Sequence, residues 1–162
     1  PNLGGAHLLA CVEADPADDL RIPRVDLTLG PKTARAVATL IARGLVASAH
    51  DCSDGGLLVA AAEMAFAGRV GLDLDLAPLP APQPLGVATA CFAETPSRYL
   101  LEIRPDALDP AVRNLRAAGI PFGQIGTFAD HQRLTLRTAT DGRVLDTPLD
   151  DLRAAWQRPL DW

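Results

Sequence analysis

The sequence predicts an α+β fold, a mixed sheet with helices packed on it. Three observations carry that expectation. Val70-Gly71-Leu72-Asp73-Leu74-Asp75-Leu76 and Arg133-Leu134-Thr135-Leu136-Arg137 alternate apolar and polar, the period of a half-buried strand. Val37, Leu40 and Ile41, and later Val112, Leu115 and Ala118, recur at helical spacing. The two kinds of segment are mixed without strict alternation, and the nucleotide-fold fingerprints GxGxxG and GxxxxGK(S/T) are both absent.

At 162 residues the chain fits one domain of ordinary size, so residues 1–162 are expected to share one core. The net charge of −5 argues against a duplex nucleic-acid binder, which usually shows a basic face. No apolar run approaches the ~20 residues that cross a bilayer, and no signal-peptide pattern opens the chain. Cys11, Cys52 and Cys91 are far apart and in no metal-ligand spacing, which fits a reducing, cytoplasmic setting. The only methionine is Met64 and the chain opens at Pro1, so a piece of a longer protein is expected.

Taken in order, Leu3-Gly4-Gly5-Ala6 enters a short apolar stretch, Leu8 to Val12. The two glycines imply a close backbone approach or a flexible entry. Asp15 to Pro23 reads as a polar loop, and a helix is expected from about Thr33 to Arg43, stopped by Gly44. The helical run Leu57 to Phe66 ends at Gly68 and is apolar all round, the pattern of a helix buried between layers. Glu63, its one acid, is expected to be solvated or capping. Asp73 and Asp75 fall on the solvated face of the Val70–Leu76 strand. Pro78 to Pro84, with four prolines, reads as a loop.

Arg98 to Ile103 reads as a strand fed by a polar junction, where Glu94 and Arg98 pair with each other or face a polar ligand. Asp109-Pro110 opens a helix capped by Gly119, because proline suits a first turn and glycine a C-cap. Gln124 to Phe128 is a short strand, and Asp141-Gly142 is a hairpin turn signal. Pro148 to Trp156 is a final helix with Leu149, Leu152 and Trp156 on one face, and His131 reads as a surface histidine.

The stretch richest in chemistry is Ala49-His50-Asp51-Cys52-Ser53-Asp54-Gly55-Gly56-Leu57, a tight polar turn between an apolar strand or extended approach, Leu45 to Ala49, and the start of the helical run at Leu57. Ser53 or Asp54 can cap the first free N–H groups. Gly55-Gly56 removes side chains, so a ligand can approach the backbone. The helix dipole favours an anion there. Asp51 and Asp54 repel a bare phosphate, so a metal between acid and phosphate is the more natural arrangement.

Several segments now carry a resemblance. His50 to Leu57, followed by Ala62-Glu63-Met64-Ala65-Phe66-Ala67-Gly68, resembles the HDxSDGGL…AEMAFAG signature of the phosphoribosylformylglycinamidine synthase family. Phe92-Ala93-Glu94-Thr95-Pro96-Ser97-Arg98 resembles that family's F-(S/G/A)-E-x-x-(S/G)-R junction, with Pro96 in place of a frequent glutamine. Leu3-Gly4-Gly5-Ala6 resembles its LGGS entry, and the closing Leu149 to Trp156 its L-x-x-L-x-x-A-W helix. The form of the junction is similar to that of the small, multi-subunit type.

The resemblance implies a layered α/β C-terminal domain of the aminoimidazole ribonucleotide synthetase type, partly ferredoxin-like. It implies ATP, Mg²⁺ and formylglycinamide ribonucleotide as ligands of the complete ligase, with ammonia delivered from a glutaminase subunit beside a small bridging subunit. N-terminal synthetase domains, absent from this chain, supply much of the nucleotide and metal apparatus. Residue by residue it assigns nucleotide or substrate binding to Asp51, Ser53, Asp54, Gly55, Gly56, Glu94, Thr95 and Arg98, and assigns no catalytic residue. The isolated chain is expected to lack synthetase activity. Two alternatives stay open. The domain braces the catalytic half around an auxiliary nucleotide site, or it belongs to another superfamily member such as aminoimidazole ribonucleotide synthetase.

Overall fold

The computed structural model describes residues 1–12, 21–81, 84–138 and 142–160. Most of the expected 15–23 loop, part of the proline-rich run and Asp141 of the hairpin signal lie outside them. The elements follow in the order α1 (Leu8–Cys11), α2 (Leu29–Ala42), β1 (Ser48–Asp51), α3 (Gly56–Gly68), β2 (Gly71–Asp75), α4 (Val87–Phe92), β3 (Tyr99–Glu102), α5 (Pro105–Ala117), β4 (Gly126–Ala129), β5 (Arg133–Thr138), β6 (Gly142–Pro148) and α6 (Leu149–Gln157), with a closing 3₁₀ turn at Arg158–Leu160. Helices with mixed strand pairing are the expected fold class. No helix among the described residues is long and apolar enough to cross a membrane.

Contacts divide the chain into two compact units, Pro1–Ala60 with Ala88–Phe122, and Ala61–Val87 with Gly123–Trp162. The first holds a two-stranded antiparallel sheet, β1 against β3, in the register Ser48↔Glu102 to Asp51↔Tyr99. A two-stranded ribbon is marginal alone. Here the core beside it includes Val37 and Leu40 of α2, Cys91 of α4 and Ala107 and Ala111 of α5, all buried.

The second unit holds a four-stranded sheet in the order β4-β2-β5-β6. β2 and β5 run parallel, and their register sets Leu72 beside Leu134 and Leu74 beside Leu136. All four leucines are buried, as the period-2 pattern requires. β5 and β6 pair antiparallel, in the register Arg133↔Pro148 to Thr138↔Gly142.

Several expected elements change in extent. α2 begins four residues before Thr33, because Asp26 Oδ1 accepts the N–H groups of Thr28 and Leu29 and starts the helix there. Pro31 then sits in the first turn, where its missing N–H is an orphan anyway. Gly44 closes α2 as expected, while Ile41 is exposed. α5 starts at Pro105, so Pro110 lies inside the helix and not in its first turn. Gly119 ends it as expected.

α3 reaches Gly68 as expected, but it is not buried all round. Leu57, Ala60, Ala61 and Ala65 form one buried stripe, and the end from Ala67 is exposed. α4 had no expectation; its six residues are too few to show a helical period. Three polar residues in the second unit have partners that local pattern did not show. Asp73 accepts from the Thr135 hydroxyl and pairs with His131 Nε2 at 3.2 Å, so neither Asp73 nor His131 is simply solvated. Glu63 accepts the Trp156 indole N–H at 2.8 Å.

Candidate functional site

The β1–β3 ladder joins the two segments that carry the candidate residues. Asp51 lies opposite Tyr99, and the Cys52 N–H donates to the Arg98 carbonyl at 3.0 Å. The polar turn after β1 and the junction before β3 therefore share one end of one ribbon. β1 also runs two residues further than the expected approach, so His50 and Asp51 belong to the strand.

Glu94 closes the gap between turn and junction. Its Oε1 accepts the Gly55 N–H at 2.8 Å, the His7 N–H at 2.9 Å and His7 Nδ1 at 3.0 Å. Burial pushes the Glu94 carboxyl up, but the two N–H donors and the imidazole together hold it below its ordinary value. The same bond, with the charges of Glu94 and Asp54, raises the His7 imidazole. Ligand atoms of His7, Asp54 and Glu94 all lie within 4.8 Å of one another. His7 is absent from the expected set; only the neighbouring glycine entry at Leu3 to Ala6 pointed to this part of the chain.

Arg98 does not pair with Glu94. Its guanidinium donates to the carbonyls of Ala93 at 3.1 Å and Ala90 at 3.2 Å, at the C-terminal end of α4. Carbonyls at a helix end lack intrahelical partners, and a cation there also meets the negative end of the dipole. Glu94 is meanwhile occupied by His7 and Gly55. Burial lowers the Arg98 pKa, and it raises the nearby Cys52 and Cys91 thiols to about 11, so neither thiol is ionised near neutrality.

The rest of the turn departs from the capping expectation. The Ser53 side chain beside Asp51 holds the Asp51 carboxyl below its usual range. The Ser53 carbonyl, not its side chain, accepts the Gly56 N–H at 2.9 Å. Gly55 and Gly56 have φ of +75° and +70°. A Cβ on Gly56 would lie 2.8 Å from the Phe92 carbonyl carbon and 2.9 Å from the Cys91 oxygen. The close approach that the glycine pair permits is thus made, at Gly56, by the end of α4. Thr95 Oγ1 is buried with no hydrogen-bond partner among the described residues.

Chemically, the turn offers exposed carboxylates at Asp51 and Asp54, while the Gly55 and Gly56 N–H groups are already taken by Glu94 and the Ser53 carbonyl. Arg98, the one cation of the expected set, spends its donors inward. An anion here therefore needs a cation from elsewhere. Carboxylate oxygens of Asp54 and Glu94 suit a hard ion such as Mg²⁺, whereas the His7 imidazole is a softer ligand than that ion prefers.

Residues 1–139 match the family model of the AIR synthase related protein, C-terminal domain. The chain is 34% identical over 140 residues to the phosphoribosylformylglycinamidine synthase subunit PurL of Deinococcus radiodurans, covering 86% of this chain and 18% of that protein. The chain thus spans about a fifth of that relative's length. In fold it is similar to Thermotoga maritima PurL complexed with FGAR, with a TM-score of 0.74 and 22% identity over 86% of this chain and 23% of the other. The same protein complexed with ATP gives a TM-score of 0.67 and 21% identity over 74% of this chain and 20% of the other.

Proposed function

The chain belongs to the family of AIR synthase related C-terminal domains, and from that premise we propose that it is the C-terminal domain of a phosphoribosylformylglycinamidine synthase synthetase subunit. The whole enzyme converts formylglycinamide ribonucleotide, ATP and glutamine-derived ammonia to the amidine, ADP and phosphate. In this reading Asp51, Ser53, Asp54, Gly55, Gly56, Glu94 and Thr95 form one wall of a nucleotide- or substrate-phosphate site. N-terminal domains of the longer protein complete that site, and glutaminase and bridging subunits deliver the ammonia. The setting is the cytoplasm, consistent with the free thiols of Cys11, Cys52 and Cys91.

One observation carries the reading. The Glu94 carboxylate bonds the Gly55 N–H, so the two segments that match the family's motifs form one surface. Asp54 and Glu94 would hold Mg²⁺, which supplies charge neutralisation for a phosphate when bound. Asp51 and Asp54 present negative charge to the completed site, and Glu94 fixes the turn through Gly55.

The test uses the full-length protein. Asp51→Ala and Asp54→Ala, both exposed, are expected to leave the melting temperature unchanged while raising the KM for ATP or substrate roughly tenfold, the scale of one lost charged contact. Unchanged kinetics and assembly in both variants would reject the reading. The 162-residue chain alone is expected to form no amidine from ATP, ammonia and substrate.

A second reading has its own support. Arg98 faces the end of α4 and Gly56 packs on the same end, which is what a domain that braces a catalytic half requires. It expects Arg98→Ala to lower the melting temperature with KM unchanged. A raised KM at normal stability would count against it.

A further inference from the structure

A cavity of about 320 Å³ opens in the second unit, lined by Phe66, Arg69, Gln132, Leu149, Asp150 and Arg153. It shares no residue with the candidate site. Gln132 builds it: the side-chain amide donates to the Arg69 carbonyl at 2.8 Å, and the Gln132 carbonyl accepts the Leu149 N–H at 3.0 Å. One residue thereby ties the end of α3 to the start of α6.

Arg69 is the unusual member. α3 ends in the turn that ordinarily places glycine in the left-handed region, with the Val70 N–H on the Ala65 carbonyl at 3.1 Å. The residue in that position is an arginine, at φ +53°. A side chain there is strained, and strain of this kind concentrates where a group must be held for binding. Among the described residues no hydrogen bond or ion pair engages the Arg69 guanidinium; its backbone N–H donates to the Phe66 carbonyl at 3.3 Å and its carbonyl accepts from Gln132. Arg153 contacts Asp150 at 3.3 Å, an exposed pair that a stronger anion can displace.

We propose that this cavity binds a phosphate group, free or as a monoester. The guanidinium groups of Arg69 and Arg153 take the phosphate oxygens, since the planar fork of arginine matches phosphate and two cations balance its charge. The accessible lining is mainly polar, Leu149 being buried, and Asp150 leaves Arg153 as the ligand enters.

Calorimetric titration of the chain with phenyl phosphate and with inorganic phosphate tests this. Both are expected to bind at millimolar concentration or tighter; tighter phenyl phosphate assigns an ester as the source of the phosphate, and equal affinity assigns the free ion. Arg69→Gly and Arg153→Gln are each expected to weaken phenyl phosphate by roughly tenfold. Arg69→Gly also relieves the left-handed strain, so its melting temperature is expected to hold or rise while affinity falls, a pairing that a damaged fold does not produce. No binding of either at millimolar concentration, or binding unchanged in both variants, would overturn the site.

Discussion

The Glu94 carboxylate accepts the Gly55 backbone N–H at 2.8 Å although 39 positions separate the two residues. One oxygen of one side chain holds the polar turn to the junction before β3 and to the chain entry at His7. Removing it leaves Gly55 and His7 donors that only water can satisfy. Glu94→Gln keeps an acceptor without the charge and is expected to cost about 1 kcal/mol, and Glu94→Ala about 2 kcal/mol. Urea denaturation measures both; an alanine variant as stable as the parent would show that the bond holds nothing.

The same contact sets a pH window. His7 is raised by its bond to Glu94, so its contribution is complete below the ordinary imidazole value of 6.5 and fades as pH rises through the raised one. Glu94 is lowered, so its contribution is complete above the ordinary 4.5 and fades as pH falls through the lowered value. The stability difference between the parent and His7→Ala is therefore expected to be largest between pH 4.5 and 6.5. A difference that stays flat from acid to alkaline pH would remove the imidazole from the account.

Gly56 and Gly5 separate strain from crowding. Both have positive φ, +70° and +78°, but only Gly56 faces backbone at 2.8 Å; a Cβ on Gly5 meets nothing within 4 Å. Gly5→Ala is expected to cost about 1 kcal/mol from the left-handed region alone. Gly56→Ala is expected to cost about 3 kcal/mol or more, because the end of α4 must also move. Equal melting temperatures for the two variants would contradict the packing at Gly56.

Trp156 links α6 to α3 by two separable contacts. Its indole N–H donates to Glu63 at 2.8 Å, and its ring lies 5.7 Å from that of Phe66. Trp156→Phe keeps the ring and loses the donor, at about 1 kcal/mol. Trp156→Ala loses both, at about 2 kcal/mol for a half-exposed ring. Thermal melting ranks them, and a phenylalanine variant as damaging as alanine would assign the whole effect to the hydrogen bond.

The thiols give a count. Cys11 is exposed, while Cys52 and Cys91 are buried with pKa raised to about 11. A thiol reagent at pH 8 is expected to label one cysteine per folded chain quickly, and the other two only on unfolding. Three equally fast labels would contradict the burial.

Legibility in the sequence follows locality. The alternation at Leu72 and Leu74, and at Leu134 and Leu136, places four leucines in the core because the strand period is a property of neighbouring residues. Gly44 and Gly119 end their helices where expected for the same kind of reason. Proline misled at Pro110, since Pro105 five residues earlier supplies the first turn. At the candidate site the turn and the junction were both visible as strings, but His7 was not. A single histidine near a glycine pair carries no periodic signal.

By itself the sequence determined the fold class, the buried leucine pairs, the helix stops and the motifs that place the chain in its family. Each of these depends on residues within a few positions of one another. Only the tertiary structure decided which partners the polar residues take. Glu94 reaches Gly55 and His7 in place of Arg98, Arg98 turns to the α4 carbonyls, and Glu63 meets Trp156 across 93 positions. The physical reason is that a buried or half-buried polar group is satisfied by whichever donor or acceptor packing brings within 3 Å, and sequence spacing does not encode that neighbour.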